Sequence, residues 1–451
     1  MRFFKVAARR LKSSYNRNQL LFIIEAVLIN ASLVLNQGIY VSGYMVLLNA
    51  SDFLVGILNS SNAWATMASI FSFLVYERLE KRKGFLIALV SLSRLLVCSI
   101  IFLPLFIKSQ AVLLTVASTM VIAGNILWGF YSVGWMVWIM SVSPKENRSS
   151  FMYTRMLILR IGIIAVMISS GYVLDYFNKS YGGFLVVYLA SLVLAVLDII
   201  VLLKIEEPEK KAVKQEKFDM SVFLDPVKKI DYRKYLIFTF FFYITLTISS
   251  SYSPLYLVKY LKFDYTFVSS ITMVSYVFMV LSTQFWSRME HKKGMEFVFA
   301  ATAFIIALEF LVYGFLTEKT YFLLYIAPVF SGIGNGGFNI CLVNYRYDLM
   351  PEDNRTVYEG WFGAVYGLCT LFAPVIGSIL MNHLPVIGNR IFAYGNYQLL
   401  YIISFTTCSF VIFMFFKGPR FSRMFQASAV NCNNTLNTSN CEVVKEISEE
   451  N

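Results

Sequence analysis

Residues 109–144 read SQAVLLTVASTMVIAGNILWGFYSVGWMVWIMSVSP and contain no charged side chain. A helix needs roughly 20 apolar residues to cross the hydrocarbon core of a bilayer, and weakly charged runs recur along the chain up to Phe416. The runs are continuous rather than alternating, which excludes a transmembrane β-barrel. Of the 451 residues, 57% are hydrophobic and 15% are charged, against about 25% charged in soluble domains. The sequence therefore predicts an all-α polytopic membrane protein.

Hydropathy divides the chain into twelve predicted spans joined by polar segments. The one long polar connection lies at the middle of the chain and contains the charged stretch EEPEKKAVKQEK at residues 206–217. It is typical of a linker between two halves of six spans each. The predicted spans are residues 19–43, 53–75, 85–107, 111–140, 154–177, 184–204, 235–257, 266–286, 295–316, 321–343, 358–381 and 395–416.

The predicted organisation follows from these spans. A basic N-terminus precedes the first span, and we interpret it as a cytoplasmic amphipathic segment. A signal peptide is the alternative, but the apolar stretch that follows is too long and lacks a small-residue cleavage site. The predicted parts are the N-terminus at 1–18, a six-helix bundle at 19–204, a cytoplasmic linker at 205–234, a second six-helix bundle at 235–416 and a disordered cytoplasmic tail at 417–451.

The basic residues are distributed unevenly between the two sides of the predicted spans. With both termini placed inside, and with Arg155 and Lys204 at the inner ends of their spans counted as inner, 31 of the 39 Lys and Arg fall in inner segments. Six fall in outer loops, and Arg94 and Arg160 lie deeper within spans. This asymmetry predicts a multi-pass protein of the cytoplasmic membrane with both termini in the cytoplasm. The basic residues cluster in short loops between the apolar spans, and this distribution argues against a nucleic-acid partner. The six Cys and two His show no metal-ligand spacing, so we expect no metal site and no cofactor.

Short motifs recur at a nearly constant offset, which indicates an internal repeat. Residues 78–84 (RLEKRKG) recur as residues 288–294 (RMEHKKG), displaced by 210. Gly124-Asn125 recurs as Gly334-Asn335, also displaced by 210. The elements PxxNR at residues 144–148 and 351–355 are displaced by 207. Both halves begin inside and contain six spans, so the repeat is parallel, about an axis along the membrane normal.

In its 6+6 topology, central linker and basic loops after spans two and eight, the chain resembles transporters of the major facilitator superfamily. The family signature G-x-x-x-D-R-x-G-R-R is represented by residues 77–82 (ERLEKR), which keep the acid-Arg pair and the trailing basic residues but neither glycine. The resemblance implies two six-helix bundles that rock about a central site lined by spans one, four, seven and ten. It also implies secondary transport of a small organic solute, with protons as the expected coupling ion. We expect a monomer in the lipid bilayer.

Ionisable residues inside the predicted spans are candidates for function, because each costs at least ~2.5 kcal/mol to insert. Glu25 is the first candidate for proton coupling and Glu309 the second. The alternatives are that Glu25 pairs with Arg94 or Arg160, or snorkels inward, and that Glu309 has a structural role. The two arginines could bind an anionic substrate group or form buried ion pairs. Asp175 and Asp198 lie nearer the span ends, where they are expected to reach the headgroups.

Polar and aromatic side chains on the four pathway spans predict a neutral, hydrogen-bonding cavity. It would suit an organic solute with ring or apolar character. The tryptophan stripe on span four could instead face lipid or pack between helices, and the asparagines could form interhelical hydrogen bonds. With the two arginines, the candidate cavity residues are Asn30, Gln37, Tyr40, Tyr44, Asn125, Trp128, Tyr131, Trp135, Tyr243, Thr247, Asn335 and Asn339.

Charged residues of the repeated inner loops are candidates for a cytoplasmic gate. Charge-assisted bonds among them would close the inner side and break when the cavity opens inward. The alternative is that they serve only membrane topology. The candidate gate residues are Glu77, Arg78, Glu80, Arg148, Arg288, Glu290 and Arg355.

Other functions are weighed against proton-coupled transport. Efflux or uniport of amphipathic compounds is the nearest alternative, followed by a lipid flippase and a receptor that transports nothing. A receptor would be expected to carry a larger folded cytoplasmic domain. We find no His/Asp/Ser or metal constellation, so an enzyme is not predicted, and no phosphate-binding loop for an ATP-driven pump.

Overall fold

The computed structural model describes residues 15–71, 76, 82–142, 148–207, 220–351, 355–386, 388 and 392–417. These residues are almost entirely α-helical, and none of those described forms a strand. A short linker helix, Met220–Lys228, precedes the seventh long helix. The long helices are α1 (Arg17–Leu47), α2 (Asp52–Trp64), α3 (Lys83–Phe106), α4 (Gln110–Val142), α5 (Arg148–Tyr176), α6 (Tyr181–Lys204), α7 (Ile230–Tyr260), α8 (Tyr265–Lys293), α9 (Met295–Gly314), α10 (Leu323–Leu349), α11 (Arg355–His383) and α12 (Gly395–Lys417).

Eleven of these helices are long and apolar enough to cross a membrane. The exception among the described residues is α2, which continues as a 3-10 helix over Ala65–Phe71 and then enters residues outside the described ranges. The predicted fold class, an all-α polytopic protein, is confirmed. Span boundaries differ by a few residues: span five was predicted to begin at residue 154, whereas α5 begins at Arg148.

Helix packing repeats between the first six and the last six helices. In the first set, α1 packs on α5 and α6, α3 packs on α4 and α6, and α2 packs on α4. In the second set, α7 packs on α11 and α12, α9 packs on α10 and α12, and α8 packs on α10. Each helix pair in the second set corresponds to a pair in the first set whose helix numbers are lower by six. The two sets meet through α2 against α11 and α5 against α8.

The repeat extends to single glycines at close helix crossings. A Cβ added to Gly124 on α4 would lie 2.9 Å from the carbonyl oxygen of Ser93 on α3. A Cβ added to Gly334 on α10 would lie 3.0 Å from the carbonyl oxygen of Thr302 on α9. The glycines are displaced by 210 residues and the carbonyls by 209. Small residues at these two positions therefore let the paired helices approach closely.

Two helices, α1 and α7, are interrupted along their length. The first, α1, breaks between Arg17–Val34 and Gly38–Leu47, and Gly38 has a φ of +55°. That conformation is in the left-handed region, which glycine adopts without steric cost. The second, α7, leaves regular α-helix after Ser250 and ends in a wide π-helical turn over Tyr256–Tyr260. Pro254 lies in this interrupted part, where a missing backbone N–H is tolerated.

The tryptophan stripe of α4 faces the interior of the first six helices. Trp135 and Trp138 both contact the Phe22 ring of α1 edge-on, with centroids 6.5 and 5.7 Å away. Trp128 packs against Tyr131 at 5.2 Å. The stripe therefore packs between helices of the first six, which was one of the alternatives considered for it.

Candidate functional site

A cavity of about 330 Å³ lies between the two sets of helices, at the interruptions of α1 and α7. Its walls combine hydroxyl, amide and aromatic groups with aliphatic side chains. Helices α1, α5, α7, α8 and α9 all contribute, so the cavity belongs to both halves of the chain. The polar and aromatic wall residues are Gln37, Tyr40, Ser253, Thr272, Tyr276 and Tyr313.

A second chamber of about 160 Å³ adjoins the first and contains the carboxyl group of Glu309. The two chambers share Thr272 and Tyr313 as wall residues. Ser331 of α10 lies in the second chamber beside Glu309. A carboxyl group therefore lies next to the space in which a solute would fit, and the hydroxyl groups around it can hydrogen-bond to that solute.

The structure brings some of the predicted cavity residues together at this site. Gln37 and Tyr40 line it, and the Tyr40 hydroxyl donates a 2.7 Å hydrogen bond to the Met167 carbonyl of α5. Arg160 stacks on the Tyr276 ring at 4.5 Å and so supports one wall. Glu309 of α9 was predicted as a coupling candidate, but the wall residues of α8 and Tyr313 of α9 were not predicted, because the family resemblance implies a site lined by spans one, four, seven and ten. One signal was present: Tyr313 follows Glu309 by one helical turn.

Other predicted cavity residues make contacts elsewhere and do not line either chamber. Two asparagines bond to their own helix, since Asn30 donates to the Ala26 carbonyl and Asn335 to the Ser331 carbonyl. The remaining residues of this group contact neighbouring helices or, for Thr247 and Asn339, groups on their own helix. Their contacts are Tyr44 to the Ile100 carbonyl, Asn125 to Ser61, Tyr243 edge-on to Tyr366, Thr247 through its carbonyl to Ser251, Asn339 to the Asn335 carbonyl, Trp128 to Arg94, and Trp135 to Arg155.

Glu25 is buried, with 1% of its surface exposed, and pairs with Arg155 of α5 at 3.2 Å. Arg155 also donates to the Phe22 carbonyl at 3.2 Å and stacks on Trp135 at 4.6 Å. The partners considered from the sequence were Arg94 and Arg160, and the observed partner is neither. Arg155 was missed because the charge count assigned it to an inner loop, whereas α5 begins seven residues earlier. Neither Glu25 nor Arg155 lines a chamber.

At the end of the molecule opposite the linker helix, Asp52 joins the two halves. This carboxylate, at the start of α2, accepts hydrogen bonds from Lys259 at 2.5 Å, from Tyr397 at 2.6 Å and from the Tyr260 hydroxyl. All three donors belong to the second half of the chain. We call these four residues the Asp52 cluster.

Asp175, near the C-terminal end of α5, makes a second connection at the same end. It accepts bonds from the backbone N–H groups of Tyr265 and Thr266 at 3.0 and 2.8 Å, and from the Thr266 hydroxyl at 2.6 Å. A carboxylate at this position satisfies otherwise unpaired donors of the α8 N-terminus. Lys179 and Asp264 add an exposed ion pair at 3.1 Å. The expectation that Asp175 reaches the headgroups was wrong, since it binds the other half of the protein.

The predicted cytoplasmic gate falls largely on residues outside those the structure describes. Glu77, Arg78 and Glu80 lie outside the described ranges. Arg148 and Arg355 begin α5 and α11, and their side chains are not among those described. Arg288 is exposed, and neither it nor Glu290 forms an ion pair with a described residue. The gate therefore stays a prediction.

The Major Facilitator Superfamily model matches residues 21–308 and 235–431 of the sequence, and the two matches together cover most of it. The chain belongs to the Major Facilitator Superfamily. The resemblance stated from the sequence is thereby confirmed, and the repeated helix pairs described above agree with the family's duplicated fold.

Individual members of the superfamily show similarity of different extents. The class H tetracycline resistance protein of Pasteurella multocida is 30% identical over 120 residues, which is 26% of this chain and 28% of that protein. The match thus spans about a quarter of the length of that relative. The nucleoside transporter NupG has a TM-score of 0.64 at 15% identity, covering 91% of this chain and 99% of that one. A D-xylose-proton symporter has a TM-score of 0.64 at 14% identity, covering 87% and 96%. At these identities the solved structures show a shared fold.

Proposed function

We propose that this protein is a proton-coupled secondary transporter that moves a small organic solute across the cytoplasmic membrane by alternating access. The observation that carries the proposal is the cavity between the two halves, at the interruptions of α1 and α7. Its walls combine hydrogen-bonding groups with aromatic rings, which suits a polyhydroxylated or ring-containing solute of the sugar or nucleoside type. Membership of a transporter superfamily supports transport rather than enzymatic catalysis.

The proposed orientation places both termini and the linker in the cytoplasm, as the distribution of basic residues predicts. The Asp52 cluster and the Asp175 contacts then lie on the outer side. They join the two halves there, so the described conformation is closed to the outside. We propose the two six-helix bundles, 19–204 and 235–416, as the moving units and a monomer as the transporting species.

The cargo is best identified by a thermal-shift screen of purified protein against sugars, nucleosides, amino acids, organic acids and drugs. A ligand that binds only the folded state and is present at a concentration of about 100 times its Kd adds ~2.7 kcal/mol to the free energy of unfolding. We expect hydroxyl-rich ring compounds to stabilise the protein. If drugs alone stabilise it, and inside-out vesicles accumulate them, the alternative of efflux gains support. The partial match to a tetracycline resistance protein is the observation that favours this alternative.

Gln37→Leu is expected to weaken binding of the stabilising solute about 10-fold, because Gln37 offers an amide to the cavity and a lost hydrogen bond is worth roughly 1.4 kcal/mol. Binding is measured by titration of the thermal shift. Gln110→Leu is the matched control, since Gln110 is exposed at the start of α4 and lines neither chamber. Equal affinity of the two variants would remove Gln37 from the binding site.

Glu309→Gln is expected to abolish uptake driven by a pH gradient while leaving exchange of labelled for unlabelled solute intact. A glutamine keeps the shape of the side chain but cannot bind and release a proton. Both activities are measured in proteoliposomes with the solute found in the screen. Glu318→Gln, on the exposed turn after α9, is the control that keeps both activities. Undiminished pH-driven uptake by the Glu309 variant would exclude Glu309 from coupling.

A further inference from the structure

Asp198 of α6 lies in the interior of the first six helices, away from both chambers. None of its surface is exposed, and neither carboxylate oxygen has a hydrogen-bond partner among the described residues. It precedes the last residue of α6 by six positions, which places it roughly 9 Å from that helix end. The expectation that it reaches the headgroups was therefore wrong, because its side chain points into the bundle.

The neighbouring cation of Asp198 is Arg94 of α3, which has 1% of its surface exposed. The two interact electrostatically, but no ion pair within 4.0 Å forms between them. Arg94 instead donates to the Ser93 hydroxyl at 2.9 Å and lies over the Trp128 ring at 5.0 Å. Its Nε has no hydrogen-bond partner among the described residues. A guanidinium beside a buried carboxylate normally forms a short, charge-assisted and often bidentate contact.

The other groups that face Asp198 come from the helices packed against α6 and from α4. On α1, Glu25 contributes a like charge, and its own cation is Arg155 of α5. On α4, the buried hydroxyl of Tyr131 has no hydrogen-bond partner among the described residues and interacts electrostatically with Asp198. Since Arg155 is held by Glu25, Arg94 is the remaining basic partner for Asp198 within this group.

We propose that Asp198 is a proton-binding site of the transporter, separate from the solute cavity, and that Arg94 pairs with it when the proton leaves. A buried carboxylate without hydrogen bonds costs several kcal/mol, whereas a carboxylic acid carries no charge. A neutral Asp198 accounts for the observed geometry, in which Arg94 is turned to Ser93 and Trp128. Loss of the proton to water at the inner end of α6 leaves a carboxylate that attracts Arg94, drawing α3 and α6 together.

This inference rests on the proposed proton coupling but is tested without transport. The probe is the carboxylic acid C=O stretch, recorded by infrared difference spectroscopy of purified protein while the pH is stepped. Growth on aspartate carrying carbon-13 at the side-chain carboxyl shifts aspartate bands and leaves those of Glu25 and Glu309 in place. We expect a label-sensitive band that persists at pH values where exposed aspartates, with pKa near 3.9, are ionised.

The band is expected to be lost in Asp198→Asn and kept in Asp231→Asn, a matched change of an exposed aspartate. Persistence of the band in Asp198→Asn, or its insensitivity to the label, would overturn the proposal. If Asp198→Asn does not fold, the labelled unmodified protein decides: no label-sensitive band near neutral pH refutes the site. Uptake driven by pH in a protein without the band would leave the proposed function standing while this inference fails. Detection of the band in a protein that transports none of the tested solutes would support the Asp198 site while the proposed function fails.

Discussion

Glu25→Gln is expected to lower the free energy of unfolding by about 3–5 kcal/mol, because it leaves Arg155 as a buried charge without its counterion. The pair is fully enclosed, and the 3.2 Å contact joins α1 to α5. The measurement is thermal unfolding in detergent, followed by tryptophan fluorescence or by loss of the monodisperse peak in size-exclusion chromatography.

A double variant distinguishes the effect of leaving Arg155 as an unpaired buried charge from the effect of changing the side chain of Glu25. Glu25→Gln combined with Arg155→Gln removes both charges and should recover part of the lost stability. Recovery will be incomplete, since Arg155 also bonds to the Phe22 carbonyl and stacks on Trp135. A stable Glu25→Gln protein that has lost only pH-driven uptake would instead support Glu25 as the coupling acid, as the sequence first indicated.

Asp52→Asn is expected to shift the conformational equilibrium toward the outward-open state by 10-fold or more. The change removes the charge to which Lys259, Tyr260 and Tyr397 donate, and a hydrogen bond to a charged group contributes about 1.5–3 kcal/mol. Because these contacts exist only while the two halves meet at this end, their loss disfavours that state alone.

The shift can be read from the reactivity of one introduced cysteine. Ser253→Cys lines the cavity, and in a background without native cysteines it should react faster with a membrane-impermeant thiol reagent added from outside when Asp52 is also replaced. Asp348→Asn, an exposed change at the end of α10 that the proposed orientation places inside, is the control. Unchanged reactivity in the Asp52 variant would show that the cluster does not hold the outer side closed.

Most of the fold could be predicted from the sequence. Long apolar runs identify membrane helices directly, and the repeat at an offset of 210 anticipated the matched crossings of Gly124 and Gly334. The partners of polar residues could not be predicted in the same way. Helical periodicity shows which side chains share a face, but it does not show which neighbouring helix meets that face. Arg155 and Glu25 lie 130 positions apart, and no local pattern links them.

Only part of the candidate site could be predicted, because the sequence does not show which helices meet around it. Gln37 and Tyr40 were candidates because they are polar and aromatic residues on a predicted pathway helix, although the interruption of α1 beside them was not predicted. Asp52 and Asp175 were missed as functional residues, since a carboxylate at a helix end has an ordinary explanation in capping or solvent exposure. Their role in joining the two halves depends on the arrangement of helices far away in the chain.

The pairing of Glu25 with Arg155 also constrains how the protein is made. During synthesis α1 leaves the ribosome well before α5, and an unpaired acidic or basic side chain within a membrane-spanning helix is costly to release into lipid from the insertion machinery. Each helix alone is therefore poorly placed to partition into the bilayer. We expect α1 to be retained at the translocon until α5 emerges, so that the two charges enter the membrane together and the first six helices are inserted as a group.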